Sequence, residues 1–185
     1  MVRTRVGYAG GTSADPTYRQ IGDHTETIQI DYDPSIISYE QLLEVFWEAH
    51  NPHVRSWSKQ YQSMILFHSE AQRQAAEAGA ASVAEERGLA VATVIQPYDR
   101  FYLAEYYHQK YTLQRYLELS RLLRRIYPSE AAFIDATVTA RLNGYLAGYG
   151  EIEDLVAELE GFGLTLEQQS EILKGVGAGQ FCPTG

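Results

Sequence analysis

A carboxylate stands among apolar residues in the segment best suited to chemistry. From residue 25 to 33, polar and apolar residues alternate, which is typical of a β-strand with one wet face. Glu26 shares its register with Ile28, Ile30 and Tyr32, so the pattern predicts that it lies on the buried face. Burial disfavours the ionised form of a carboxylate, and a neutral acid can donate a proton near pH 7. Glu26 is therefore a candidate general acid; a strand-end side chain that bends out to solvent is the alternative.

Two histidines are weaker candidates. His24 and Glu26 make an H-x-E spacing that occurs in some zinc sites, but no second histidine or cysteine pair follows at ligand spacing. The spacing therefore disfavours a metal site. His50 lies on the apolar stripe of a predicted helix, which favours a core or helix-end role over a catalytic one.

Composition excludes several function classes. The chain has 185 residues, 45% of them hydrophobic, which suits one domain with a small appendage. Its formal net charge of −9 argues against a nucleic-acid partner. No apolar run is long enough to span a membrane, and the first residues lack the apolar core of a signal peptide. A single cysteine, Cys182, permits no intramolecular disulfide, so we expect a cytoplasmic protein without membrane partners.

Strands and helices alternate in the first part of the chain. Ser38 and Gln41 form a capping box that predicts a helix start, and Ser69 opens a second helix that ends at Gly88. The predicted strands are residues 4–9, 25–33, 62–67 and 90–96.

After about residue 114 the segments have helical period and are separated by proline and glycine. The order of elements predicts an α+β fold with helices on one side of a sheet. We therefore predict two parts, an α+β core over residues 1–113 and a helical C-terminal extension with a glycine-rich tail over residues 114–185.

Several motifs in the same order resemble the peptide methionine sulfoxide reductase family, A type. Along residues 3–113 they read GYAGG, PTY, GDHTETIQIDYDP, ISYEQLLEVFWEAHNP, KQYQSMI and PYDRFYLAEYYHQKY. The resemblance implies a ferredoxin-like α/β sandwich. It also implies an enzyme that reduces methionine S-sulfoxide, in oxidised proteins or peptides or as the free amino acid, to methionine. The helical extension is not part of the resemblance.

The resemblance also implies site residues and partners. In the family, a cysteine thiolate attacks the sulfoxide sulfur, a glutamic acid protonates the oxygen, and two tyrosine hydroxyls bind that oxygen. Carried over, Glu26 is the proton donor in a dry pocket, and Tyr18 and Tyr61 bind the oxygen.

We also expect His24 and His50 to belong to the substrate pocket. Cys182 is a candidate resolving cysteine by its position in the tail. Thioredoxin or another dithiol would restore the thiols, and no cofactor is needed.

The chain departs from the family at the nucleophile. The family's GCFWG motif, which carries the attacking cysteine, does not occur in the sequence. The resemblance therefore predicts an incomplete N-terminus that lacks the first strand and helix of the sandwich. Two alternatives stay open: a catalytically inactive relative that binds a sulfoxide or another protein, and a nucleophile supplied by a second chain.

Overall fold

The computed structural model describes residues 2–179, and Cys182 lies outside them. The described chain divides into two compact units. Residues 6–105 form the α/β unit, and residues 2–5 with 106–179 form the helical unit. The predicted boundary at residue 113 stays a prediction, while this division falls between Glu105 and Tyr106. The predicted α+β fold with a C-terminal helical region is confirmed.

Five short strands make two sheets. In the first sheet the order is β2–β1–β5, and β5 runs antiparallel to β1 with Tyr102 opposite Tyr8. In the second sheet β3 and β4 are parallel, with Ile65 opposite Ile95. The strands are β1 (Arg3–Ala9), β2 (Thr25–Asp31), β3 (Met64–Phe67), β4 (Val94–Pro97) and β5 (Phe101–Leu103). The three residues of β5 are too few to show a period, and the strand was not predicted.

Two helices of the α/β unit pack on the second sheet. Helix α1 (Tyr39–Glu48) begins with the predicted capping box, in which the Ser38 side chain accepts a hydrogen bond from the Gln41 backbone. Helix α2 (Glu70–Arg87) ends at Gly88, whose φ of 63° requires the left-handed conformation that glycine adopts readily. The buried residues between these elements are Leu43, Trp47, Ile65 and Ala76.

The predicted burial of one face of β2 is wrong. Glu26 is exposed and the Ile28 side chain is 55% exposed, whereas Thr25 is buried. The physical reason is an open cavity of about 600 Å³, which is lined by β2, α1 and β3. Ile28 borders this cavity rather than a packed core. Alternation along a strand identifies two faces, but it does not say which face another element covers.

The helical unit has a core of its own. Its helices are α3 (Tyr111–Arg115), α4 (Leu117–Ile126), α5 (Glu130–Asp135), α6 (Thr137–Leu146), α7 (Ile152–Leu159) and α8 (Leu166–Gly179). Leucines dominate the buried cluster, which also contains Phe133 and Ile172. Within residues 2–179, no helix is both long enough and apolar enough to cross a bilayer.

Within the helical unit, polar contacts join residues 4 and 5 to residues 106–179. Arg5 Nε donates to Asp135 Oδ1 at 2.7 Å, and this hydrogen bond lowers the pKa of Asp135. Lys110 Nζ donates to the Thr4 carbonyl oxygen at 2.5 Å. The Lys110 side chain is buried, and this burial lowers its pKa from 10.5 to about 8.

Candidate active site

The carboxylate of Glu26 lies beside a short 3₁₀ turn. This turn spans Lys59–Tyr61, and Gln60 Nε2 donates a hydrogen bond to Glu26 Oε1 at 2.8 Å. The neighbouring residue of β2, Thr25, donates through Oγ1 to the Lys59 carbonyl oxygen, also at 2.8 Å. Two hydrogen bonds therefore fix the beginning of β2 against the turn.

The same turn brings two phenols together. The side chain of Tyr61 is hydrogen-bonded to that of Tyr18, and this bond is the largest of the causes that raise the pKa of Tyr61. The negative charge of Glu26 is the smallest of the causes that raise the pKa of Tyr61. The hydrogen bond from Gln60 holds the Glu26 carboxylate beside the turn that carries Tyr61. Tyr18, Glu26 and Tyr61, here called the acid–phenol cluster, come from a loop, a strand and a turn.

The acid–phenol cluster is open to solvent. Tyr18 is 39% exposed, Tyr61 is 48% exposed, and Glu26 is also exposed. The expected dry pocket around the carboxylate is therefore not formed by the residues that the structure describes. The expectation was wrong for the same reason as the predicted burial of β2, since Glu26 and the other residues of β2 border an open cavity.

A network of hydrogen bonds holds the start of the loop that carries Tyr18. The Asp23 carboxylate accepts bonds from the backbone and hydroxyl of both Thr12 and Ser13, at 2.7–3.0 Å. These bonds, led by the one from the Ser13 hydroxyl, hold the pKa of Asp23 well below its usual range. A Cβ on Gly11 would lie 2.7 Å from the backbone nitrogen of His24, so only glycine allows this close approach.

His24 is part of the same network. Its Nδ1 accepts a hydrogen bond from the Gly11 backbone at 3.1 Å, which leaves Nε2–H to donate to the Ser13 carbonyl oxygen at 2.8 Å. The ring is 1% exposed. His24 therefore ties the loop to β2 while both ring nitrogens are engaged by backbone.

His50 lies just beyond α1. Its Nδ1–H donates to the Phe46 carbonyl oxygen at 2.8 Å, and its ring stacks on Trp47. Neither His50 nor His24 is among the residues that line the cavity next to Glu26. Their assignment to a substrate pocket stays a prediction.

Two residues at the cluster were not predicted from the sequence. Gln60 contacts Glu26, and Glu105 accepts hydrogen bonds from the Tyr18 backbone and from the Tyr8 hydroxyl. Gln60 directly precedes Tyr61 in the motif KQY, and this position could have identified it from the sequence. Glu105 stands alone as an acid within the aromatic stretch FYLAEYYHQKY.

The described residues supply an acid and two hydroxyls but no thiol. The single cysteine of the sequence, Cys182, lies outside them, and its role as a resolving cysteine stays a prediction. Within residues 2–179, no three histidine, cysteine or acidic side chains are grouped so that they could hold a metal ion. The arrangement can hydrogen-bond a polar oxygen and give it a proton.

Known proteins resemble this chain over most of its length. The peptide methionine sulfoxide reductase of Drosophila melanogaster is 43% identical over 188 residues, covering 98% of this chain and 75% of the relative. Peptide methionine sulfoxide reductase A5 of rice, Oryza sativa subsp. japonica, is 39% identical over 153 residues, covering 80% of this chain. This chain spans only 59% of the rice protein.

Solved structures agree with these relatives. Mxr1 from Saccharomyces cerevisiae in reduced form has a TM-score of 0.56 and 29% identity, covering 60% of this chain and 70% of that one. Methionine sulfoxide reductase A of Corynebacterium diphtheriae has a TM-score of 0.54 and 30% identity, covering 61% of this chain and 63% of that one.

Two family models match overlapping parts of the sequence. The model for the helical domain of selenoprotein methionine sulfoxide reductase A matches residues 133–177. The model for peptide methionine sulfoxide reductase matches residues 1–141, more than half of the chain. This chain therefore belongs to the peptide methionine sulfoxide reductase family.

Proposed function

We propose that this chain provides the acid and the oxygen-binding groups for reduction of methionine S-sulfoxide to methionine. One observation carries the proposal: Tyr18, Glu26 and Tyr61, which resemblance assigns to the sulfoxide oxygen, lie together although they come from three separate segments. Membership of the family supports the same activity.

The chemistry needs each member of the acid–phenol cluster in a different role. A thiolate attacks the sulfoxide sulfur, and the S–O bond breaks as the oxygen moves to the attacking sulfur. The oxygen gains negative charge as the bond breaks, so hydrogen bonds from Tyr18 and Tyr61 stabilise it and Glu26 gives it a proton. The products are methionine and a sulfenic acid, and a second thiol converts that acid to a disulfide and water.

The attacking thiolate is not among the described residues. Cys182 is the single cysteine of the sequence, and we propose that it resolves the sulfenic acid rather than attacks the sulfoxide. In this proposal the nucleophile is the cysteine of the family's GCFWG motif, which does not occur in these 185 residues. Thioredoxin or another dithiol is the proposed reductant, oxidised protein or peptide the proposed substrate, and the cytoplasm the proposed compartment.

The single cysteine also favours a second candidate function. A chain that keeps the acid–phenol cluster without a nucleophile can bind a sulfoxide, or another protein, and release it unchanged. This alternative predicts binding of a methionine sulfoxide peptide without turnover under every thiol condition.

One assay separates the two functions. Reduction of a methionine S-sulfoxide peptide by dithiothreitol is measured for the 185-residue chain and for a fusion protein. In the fusion protein, a segment that contains GCFWG precedes the same 185 residues. We expect turnover by the fusion protein alone, and the same fusion with GSFWG, which has serine in place of the cysteine, is the control.

Turnover by neither protein, with peptide binding retained, supports the binding function instead. Turnover by the 185-residue chain that Cys182→Ser abolishes would contradict the assigned resolving role, because Cys182 would then be the nucleophile.

A further inference from the structure

We propose that Glu105 is the residue that positions Tyr18 against Tyr61, a role that rests on the proposed function of this pair. Glu105 does not reach the sulfoxide oxygen in this account. It fixes the backbone of Tyr18, and through the backbone it fixes where the Tyr18 hydroxyl meets the Tyr61 hydroxyl.

The two carboxylate oxygens of Glu105 have separate partners. Oε1 accepts a hydrogen bond from the backbone N–H of Tyr18 at 3.0 Å, and Oε2 accepts one from the hydroxyl of Tyr8 at 2.6 Å. Hydrogen bonds to a carboxylate are stronger than those between neutral groups. Glu105 therefore bridges an exposed loop and a residue of the sheet.

Burial and strand pairing fix the sheet side of this bridge. Tyr8 is 2% exposed and lies in β1 opposite Tyr102 of β5. The backbone N–H of Ala104, directly before Glu105, donates to the Val6 carbonyl oxygen at 3.0 Å. Strand pairing therefore holds the backbone next to Glu105, and the Tyr8 hydroxyl holds its carboxylate.

The loop side depends more on the bridge. Asp23 and His24 hold the loop at residues 11–13, five residues before Tyr18. The pairing of Thr17 with Gln20 closes a local turn around Tyr18 but is itself formed within the loop. Tyr18 is 39% exposed, so packing covers only part of this residue. The Glu105 hydrogen bond joins this turn to the sheet.

Titration of Tyr61 reports whether Tyr18 is in place. The hydrogen bond with Tyr18 is the largest cause of the raised pKa of the Tyr61 phenol. If the Tyr18 ring moves away, the neutral form of Tyr61 loses this hydrogen bond and the pKa falls. The measurement needs neither sulfoxide nor reductant, so its outcome is separate from the outcome of the reductase assay.

The experiment uses the 185-residue chain with ¹³Cζ-labelled tyrosine, followed by NMR from pH 8 upward. Tyr61→Phe assigns the Tyr61 signal, and Tyr18→Phe sets the largest shift that loss of this pair can produce. We expect Glu105→Ala to lower the Tyr61 midpoint by most of that shift. The double variant Glu105→Ala with Tyr18→Phe should show no further shift, because both changes remove the same hydrogen bond.

Two more variants separate positioning from charge and from folding. Glu105→Gln keeps one carbonyl oxygen for the Tyr18 N–H and an amide that can donate to the Tyr8 oxygen, so we expect it to keep the wild-type midpoint. Glu105→Asp is one methylene shorter and cannot reach both partners, so it should lower the midpoint, and it replaces Glu105→Ala if that variant does not fold.

A wild-type Tyr61 midpoint in folded Glu105→Ala or Glu105→Asp would overturn the proposal, even if thermal stability fell. Such a result would make Glu105 a residue for stability alone. An equal fall of the Tyr61 midpoint in Glu105→Gln and Glu105→Ala would also overturn the proposal. The negative charge of Glu105, rather than its hydrogen-bond geometry, would then set the pKa of Tyr61.

Discussion

Gln60 Nε2 lies 2.8 Å from Glu26 Oε1 and donates a hydrogen bond to it. The next residue along the chain, Tyr61, is hydrogen-bonded to Tyr18. One 3₁₀ turn therefore presents adjacent residues to the acid and to the second phenol. The turn is also hydrogen-bonded to β2 through Thr25. A change at any of these contacts should therefore alter the geometry of the whole acid–phenol cluster.

Removal of the Gln60 amide should slow the reaction without abolishing it. Glu26 becomes charged as it gives up its proton, and a hydrogen bond to a charged group contributes about 1.5–3 kcal/mol, of which solvent at this exposed site will replace part. We expect Gln60→Ala in the fusion protein to lower kcat by about tenfold. The matched control is Gln74→Ala, an exposed change on α2, which should leave kcat unchanged. A kcat equal to that of the parent protein would show that the Gln60 hydrogen bond does not contribute to proton transfer by Glu26.

Loss of either phenol hydroxyl should reduce turnover more strongly. A hydrogen-bond donor directed at an oxygen that gains charge is worth about 10²–10³-fold in kcat. We expect Tyr61→Phe and Tyr18→Phe each to lower kcat of the fusion protein within or slightly below this range. Tyr149→Phe, which alters an exposed tyrosine of the helical unit, is the control. If both variants raise KM alone, the hydroxyls bind the substrate but do not stabilise the reacting oxygen.

Lys110 should make stability increase with pH in the alkaline range. Its pKa is about 8 in the folded chain, because of burial, against 10.5 for an unperturbed lysine. Below pH 8 the residue is charged in both states and the burial penalty is fully present. Between pH 8 and 10.5 the unfolded chain binds more protons, so the penalty is relieved as pH rises.

The size of this pH effect is measured by comparison with Lys110→Met. One pKa unit corresponds to about 1.4 kcal/mol, so the free energy of unfolding should rise by about 3 kcal/mol more in the wild type than in the variant between pH 8 and 10.5. Urea unfolding at each pH gives the value. Lys174→Met, at an exposed position of α8, should follow the wild type. Parallel curves for wild type and Lys110→Met would contradict the assigned burial effect.

Local sequence rules predicted the elements better than the contacts between them. The capping box at Ser38 and the helix end at Gly88 depend on neighbouring residues only, and both were predicted. The role of Glu105 depends on the pairing of β1 with β5, which joins residues about 95 positions apart and leaves no pattern in a three-residue strand.

The candidate site shows the same limit. Tyr18, Glu26 and Tyr61 were assigned by resemblance, and periodicity alone singled out only Glu26. Periodicity was also wrong about the burial of Glu26, because exposure depends on whether another element packs against β2. A cavity of about 600 Å³ borders β2.

The most direct test of the account is the rate of sulfoxide reduction by the fusion protein when Glu26 is replaced by Gln. Glutamine can keep a contact with Gln60 and fills a similar volume, but it has no carboxylic proton to give. A single-turnover measurement at pH 7 isolates the chemical step from thiol recycling. We expect a rate lower by about 10²–10⁴-fold, with peptide binding little changed. An unchanged single-turnover rate would contradict the assignment of Glu26 as the proton donor.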